Sequence, residues 1–209
     1  MKTIPDLLGQ NRAWATAYAQ TDPHFFDRLC AIQRPEYLWI GCADSRVPAN
    51  QVVALEPGVL FVHRNIANIV VPGDPNCMAV VQYAIETLAV RHLIVCGHYG
   101  CGGVRAALDN NYDGAAHVER WLNPLRQLVL DHSADLSALA GDEERWDRLC
   151  ELNVVEQVRR LLSSDVLSAA RLRGTSISVY GLIYSLRDGL LRQLTQSASE
   201  AQPVAGTQR

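Results

Sequence analysis

Two short clusters constrain this chain more than anything else in it. They are Cys42-Ala43-Asp44-Ser45-Arg46 and, far downstream, His98-Tyr99-Gly100-Cys101-Gly102-Gly103. Each directly follows an apolar run, Tyr37-Leu38-Trp39-Ile40 before the first and Leu93-Ile94-Val95-Cys96 before the second. Such runs read as buried strands. In an open α/β sheet, ligands bind in the crevice beyond the carboxyl ends of the strands. The sequence therefore places thiols, an imidazole and a carboxylate where an α/β protein keeps its active site.

The remaining pattern supplies the rest of an α/β fold. Ile4 to Gln20 is helical, and Thr21-Asp22-Pro23 starts a second helix carrying Phe25, Phe26, Leu29 and Ile32, which Pro35 ends. Val59 to Val62 reads as a strand entered through Pro57-Gly58. Asn76 to Val90 reads as a helix, and Ile177 to Tyr184 as a late strand. From His117 to Arg173 the pattern is helical, interrupted near Gly141-Asp142. Strands alternating with helices predict a mainly parallel central sheet flanked by helices on both faces. The first 34 residues are then a helical arm with no necessary place in that layout, expected to serve dimerisation. The polar stretch 197–209 lacks periodicity and is expected to be a mobile tail.

A chain of 209 residues, 48% hydrophobic and 20% charged, fits one globular domain. Its net charge of −3 comes from mixed charges with no basic patch, which argues against nucleic acid. No apolar run approaches the length of a membrane span. The glycines from Gly97 to Gly103 match neither a dinucleotide fingerprint nor a P-loop, and no Lys follows them. No secretory or transit segment is read at the start, so a cytoplasmic protein is expected. There a disulfide framework is disfavoured and the six Cys are available for metal or for the core. Cys30, Cys77, Cys96 and Cys150 sit among apolar neighbours and are expected to be buried small hydrophobes.

The remaining two Cys have different company. Cys42, Asp44, His98 and Cys101 have the number and chemistry of a tetrahedral zinc set. His98 and Cys101 can come from one tight turn, and Cys42 and Asp44, two apart on extended backbone, point the same way. A structural zinc site is usually closed by thiolates and imidazoles, whereas a catalytic one keeps a replaceable position. Here Asp44 is that replaceable ligand, and Arg46 is placed to compete for it through a bidentate pair. The expected device is a gate in which Asp44 exchanges between zinc and Arg46.

These paired motifs resemble the β-class carbonic anhydrases, specifically a bacterial type. The resemblance runs from about Asp22 to Leu191 and includes Glu56-Pro57-Gly58, Phe61 to Asn68 and Asp188-Gly189-Leu190-Leu191. It implies reversible hydration of carbon dioxide to bicarbonate and a proton, one zinc per chain, and a homodimer that assembles to a tetramer. It also implies a substrate pocket of Phe61, Ile66 and Tyr83, with the Gly102 amide and the Gln33 side chain as donors. Gln33 and Tyr83 would come from the partner subunit. Trp39, Arg64 and Tyr184 match a noncatalytic bicarbonate site that favours the closed state, with Asp44 on zinc. Two alternatives stay open at this point. One is hydrolysis of carbon disulfide or carbonyl sulfide at the same zinc. The other is a zinc-stabilised binding module without turnover, which would have no need of the Asp44–Arg46 gate.

Overall fold

A computed structural model describes residues 2–199. The described chain divides into two compact units, one ending at Arg34 and the other beginning at Pro35.

The first unit holds helices α1 (Ile4–Thr21) and α2 (Phe25–Ala31). Thr3 caps α1 in a capping box with Asp6, each side chain accepting the other's backbone N–H. Neither helix builds much core. α1 buries no residue and α2 only Phe25. What holds the pair together is an aromatic cluster, in which Trp14 lies 4.8 Å from Tyr18 and Tyr18 lies 4.4 Å from Phe25. Cys30 is exposed, contrary to the burial expected for it. A seven-residue helix with one buried position has no second apolar face for it to occupy.

The second unit is built on a sheet with strand order β2-β1-β3-β4-β5. Strands β1 (Tyr37–Cys42), β2 (Leu60–Asn65), β3 (His92–His98) and β4 (Ile177–Tyr184) are parallel, and β5 (Leu191–Ser199) is antiparallel to β4. From β1 the chain goes to β2 on one side and to β3 on the other. The order therefore reverses between β1 and β3, which is the switch point where a crevice opens. β1 ends at Cys42 and β3 at His98.

Helices α4 (Pro75–Gln82), α8 (Asp142–Leu162) and α9 (Asp165–Leu172) pack on one face, around Leu38, Ile40, Val81, Leu93, Val95 and Leu161. A second core joins the carboxyl end of the sheet to α5 (Gly102–Asp109), α6 (Ala116–Asp131) and α7 (Ser133–Ser137) through Leu122, Leu125, Leu136, Leu149 and Ile183. The other face carries Trp39 and Cys96 against Ala49 of the short helix α3 (Ala49–Val52). The long helices thus gather on one side of the sheet within this unit. Close contact between α8 and β3 depends on Gly97, where a Cβ would sit 2.6 Å from a Val154 methyl.

Three boundaries differ from the sequence reading. β2 runs on to Asn65, because it stays in register with β1 as far as the Cys42–Asn65 pair. The helix expected to reach Val90 widens into a π turn at Tyr83–Thr87, and Ala89 then turns the chain with φ 57°. The stretch 197–199, expected in the tail, belongs to β5. Its residues alternate too little to signal a strand, so pairing with β4 decides the matter. Residues 200–209 lie outside the described residues. No described helix is long and apolar enough to cross a membrane.

Candidate metal centre

The two strand ends bring Cys42, His98 and Cys101 together, their ligand atoms all within 4.8 Å of one another. All three are buried. The Cys42 and Cys101 sulfurs are 3.9 Å apart. His98 Nδ1 lies 3.0 Å from the Tyr99 carbonyl, which can only accept, so Nδ1 carries the proton. That leaves Nε2 with a bare lone pair, buried and without a hydrogen-bond partner. A buried polar atom in that state calls for an explanation. Two thiols and an imidazole lone pair converging on one point fit a borderline cation such as zinc.

The thiol pair is polarised even without a cation. The Cys42 thiol is pushed well down, first by its hydrogen bond with Cys101 and then by the backbone N–H groups of Asp44 and Ala67. Cys101 is pushed up, because Cys42 holds the negative charge beside it in a buried setting. Cys77 and Cys150, by contrast, are both pushed up to about 12 by burial, as inert core thiols should be.

Asp44 stands apart from these three side chains. Its carboxylate sits in the fork of Arg46, with Nε to Oδ1 at 3.0 Å and Nη2 to Oδ2 at 2.6 Å, and it also accepts the Arg46 backbone N–H at 2.9 Å. The Arg46 guanidinium holds this carboxyl far below the usual range. Oδ2 remains 3.7 Å from His98 Nε2, at the edge of the triad. Arg46 also donates to the Gly100 carbonyl at 3.3 Å, tying the first loop to the second.

The loops themselves are held differently. Arg64 donates to the carbonyls of Cys42 (2.8 Å), Asp44 (2.6 Å) and Val47 (3.0 Å), clasping the loop after β1. The loop after β3 is pinned by Tyr99 N–H to the Tyr184 carbonyl at 3.0 Å and by Trp146 Nε1 to the Cys101 carbonyl at 3.0 Å. Tyr99 also donates its hydroxyl to Glu151 at 2.7 Å. At Gly103 a Cβ would meet the Ile66 side chain at 2.7 Å, so only glycine lets helix α5 start this close.

The remaining expected site residues fall into place unevenly. Ile66 and Tyr83 are 39% and 46% exposed, too open for ordinary core. Phe61 is half-buried, its ring 5.9 Å from that of Tyr83. Ile66 joins the rim of a cleft of ≈ 300 Å³ shared with His63, Asn65, Asp74, Asn76 and Trp121. Gly102 is exposed at the start of α5. Gln33 is exposed in the N-terminal unit. Trp39, buried, and Tyr184, half-buried, share one apolar cluster, while Arg64 is engaged with the loop carbonyls. Sequence reasoning missed Trp146 and the polar pair Asn153 and Gln157. Only the pair left a trace, as two amides four apart on an apolar helix face.

Comparison with known proteins gives a consistent picture. The carbonic anhydrase family profile matches residues 37–191. A carbonic anhydrase of Emericella nidulans is 44% identical over 193 residues, covering 92% of this chain and 84% of that protein. Among solved structures, a tetrameric β-carbonic anhydrase from Sordaria macrospora matches with TM-score 0.86 and 39% identity, covering 91% of this chain and 96% of that one. A Coccomyxa β-carbonic anhydrase in complex with acetazolamide matches with TM-score 0.88 and 36% identity, covering 94% and 89%.

Proposed function

Because the chain belongs to the β-carbonic anhydrase family, and is an enzyme of that class, we propose that Cys42, His98 and Cys101 hold one zinc ion per chain and that Asp44 gates the site. The observation that carries this reading is the buried, unpartnered His98 Nε2 facing two thiols, with the Asp44 carboxylate poised 3.7 Å away. Zinc held there supplies the Lewis acidity that makes water a nucleophile toward carbon dioxide near neutral pH.

The chain's own residues do the rest. Arg46 fixes both Asp44 oxygens, so the carboxylate is ionised and oriented to accept a hydrogen bond from the reacting water. If Asp44 leaves that fork, it can join the three ligands and close the replaceable position. The backbone N–H of Gly102 and the apolar surfaces of Phe61, Ile66 and Tyr83 then suit a small apolar substrate and its bicarbonate product. Gln33 and Tyr83 act from a neighbouring subunit in this reading, in a homodimer paired into a tetramer. The tetrameric Sordaria relative supports that assembly. Trp39, Arg64 and Tyr184 form a bicarbonate site that favours closure, since an anion drawing Arg64 away would release the Asp44 and Val47 carbonyls. A cytoplasmic setting, which keeps the buried thiols reduced, belongs to the same reading.

The test is stopped-flow hydration of carbon dioxide with metal content measured on the same sample. Turnover proportional to zinc, with about one zinc per chain, is the expected result. A zinc-replete protein without turnover overturns the proposal.

A further inference from the structure

Ala67 carries an uncommon backbone. It sits at φ 63° and ψ 27°, in the left-handed region, and it is fully buried. A non-glycine residue there is strained and persists only where its surroundings impose it. Two contacts show what the conformation accomplishes. The Ala67 N–H donates to the Cys42 sulfur at 3.4 Å. On its other side, the Ala67 carbonyl accepts from Asn153 Nδ2 at 2.9 Å.

Asn153 is itself held. Gln157 Nε2 donates to Asn153 Oδ1 at 2.8 Å, and Gln157 Oε1 accepts the Val70 N–H at 2.9 Å. Asn153 and Gln157 are 1% and 0% exposed, on the face of α8 that packs against the sheet. Placing two primary amides in an apolar interface is costly unless they are satisfied. Here they form a closed relay from α8 to the segment following β2, and its end point is a sulfur of the metal triad. An N–H donated to a thiolate withdraws electron density from it, and such outer contacts tune a ligand set.

We propose that Asn153 and Gln157 are positioning residues that hold Ala67 in its left-handed conformation, so that its N–H is aimed at the Cys42 sulfur and sets that sulfur's donor strength toward the metal. The inference rests on the zinc reading above and deepens it. It assigns the two amides a task in the site although neither touches a ligand.

The test uses Co(II) as the probe in the full chain, reading the sulfur-to-cobalt charge-transfer band, together with zinc affinity by chelator competition. Wild type that fails to take up one Co(II) would sink the metal reading itself, before the relay is addressed. With that met, Asn153→Leu should move the band to longer wavelength, because Cys42 loses a donor. It should also weaken zinc binding about 10- to 100-fold, because the Cys42 sulfur is no longer held in place, a loss larger than the gain in its donor strength. Gln157→Leu should move the band in the same direction by less. Val158→Ala, a truncation on the same helix without a polar partner, should lower thermal stability and leave the band in place. Ala67→Gly in the Asn153→Leu background should recover much of the shift, since glycine adopts φ > 0 without strain. If Asn153→Leu does not fold, Gln157→Leu carries the test. Both variants binding Co(II) fully with an unmoved band would overturn the proposal, as would a band that Val158→Ala moves equally.

Discussion

The loop after β1 and the loop after β3 contribute to one site, but they are built from different materials. The first, from Cys42 to Val47, is held by two arginines whose guanidinium groups reach backbone carbonyls and the Asp44 carboxylate. Both arginines are exposed, and so are Ala43 and Ser45. The second, from His98 to Gly103, is pinned from within by Trp146, by Tyr184 and by the abutment of Gly103 on Ile66. Exposed charge-assisted bonds can be exchanged for water or an anion at little cost, whereas buried neutral ones cannot. One half of the site, carrying His98 and Cys101, is therefore held by neutral contacts from within, and the other, carrying Cys42, Asp44 and Arg46, by exposed charged groups, which is the half expected to exchange.

The largest effect that could break this division concerns the metal. His98→Ala should cut zinc from about one per chain to near zero, since three protein ligands are the minimum of an open zinc site. Asp44→Asn should leave zinc content intact. Elemental analysis of both variants decides it, and equal zinc loss would make Asp44 a permanent ligand rather than an exchangeable one. Next comes Arg46→Ala. It should retain zinc and lower hydration by about 10- to 100-fold, because the partner that orients Asp44 is gone. Near wild-type turnover at pH 8.5 would contradict an exchangeable Asp44.

The pH response sharpens the same point. Arg46 depresses the Asp44 pKa, so the pair's contribution is present above the ordinary carboxylate value and is lost only as pH falls through the depressed one. Asp44 is therefore expected to stay ionised through the neutral and alkaline range. A steep fall in activity is expected below about pH 8, where water on a thiolate-rich zinc site is mostly un-ionised. Added bicarbonate should move that fall to higher pH, and less so in Tyr184→Phe. A pH–rate profile with and without bicarbonate checks this, and the same displacement in both proteins would remove the regulatory role of Tyr184.

The smallest expected effects are on stability. Arg64→Ala removes charged donors from three carbonyls and should cost about 2 kcal/mol, less than the sum because water replaces much of what is lost. Trp146→Phe removes one neutral hydrogen bond and should cost about 1 kcal/mol. For a chain of this size each kcal/mol lowers the melting temperature by roughly 2–4 °C. Bicarbonate should affect the melting temperature of the Arg64 variant less than that of wild type, and leave its effect on the Trp146 variant unchanged. Calorimetry with and without the anion makes the measurement.

The ligand chemistry was legible in the chain itself. A thiol and an imidazole three apart in a glycine-rich turn, and a thiol and a carboxylate two apart, each follow a run of buried strand residues. Local spacing and apolar periodicity are properties of the chain, so they identified the parallel strands, the crevice and the three buried side chains, Cys42, His98 and Cys101, that the fold brings together. β5 escaped that reading. An edge strand such as Leu191–Ser199 needs little apolar pattern of its own when a neighbour supplies the ladder. Cys30 escaped it too, since burial depends on what lies opposite a residue and α2 has only one buried position.

How the candidate ligands are supported became visible only in the packed fold. Ala67 carries no sign of its left-handed backbone, and Asn153, 86 residues away, carries no sign that it grips the Ala67 carbonyl. Arg64 reads as one more charge until its guanidinium is seen clasping three carbonyls. The sequence determined which atoms could bind a metal, because that is fixed by side-chain chemistry. Their aim, protonation and freedom to move were decided by contacts between distant segments, because orientation and dielectric environment exist only once those segments pack.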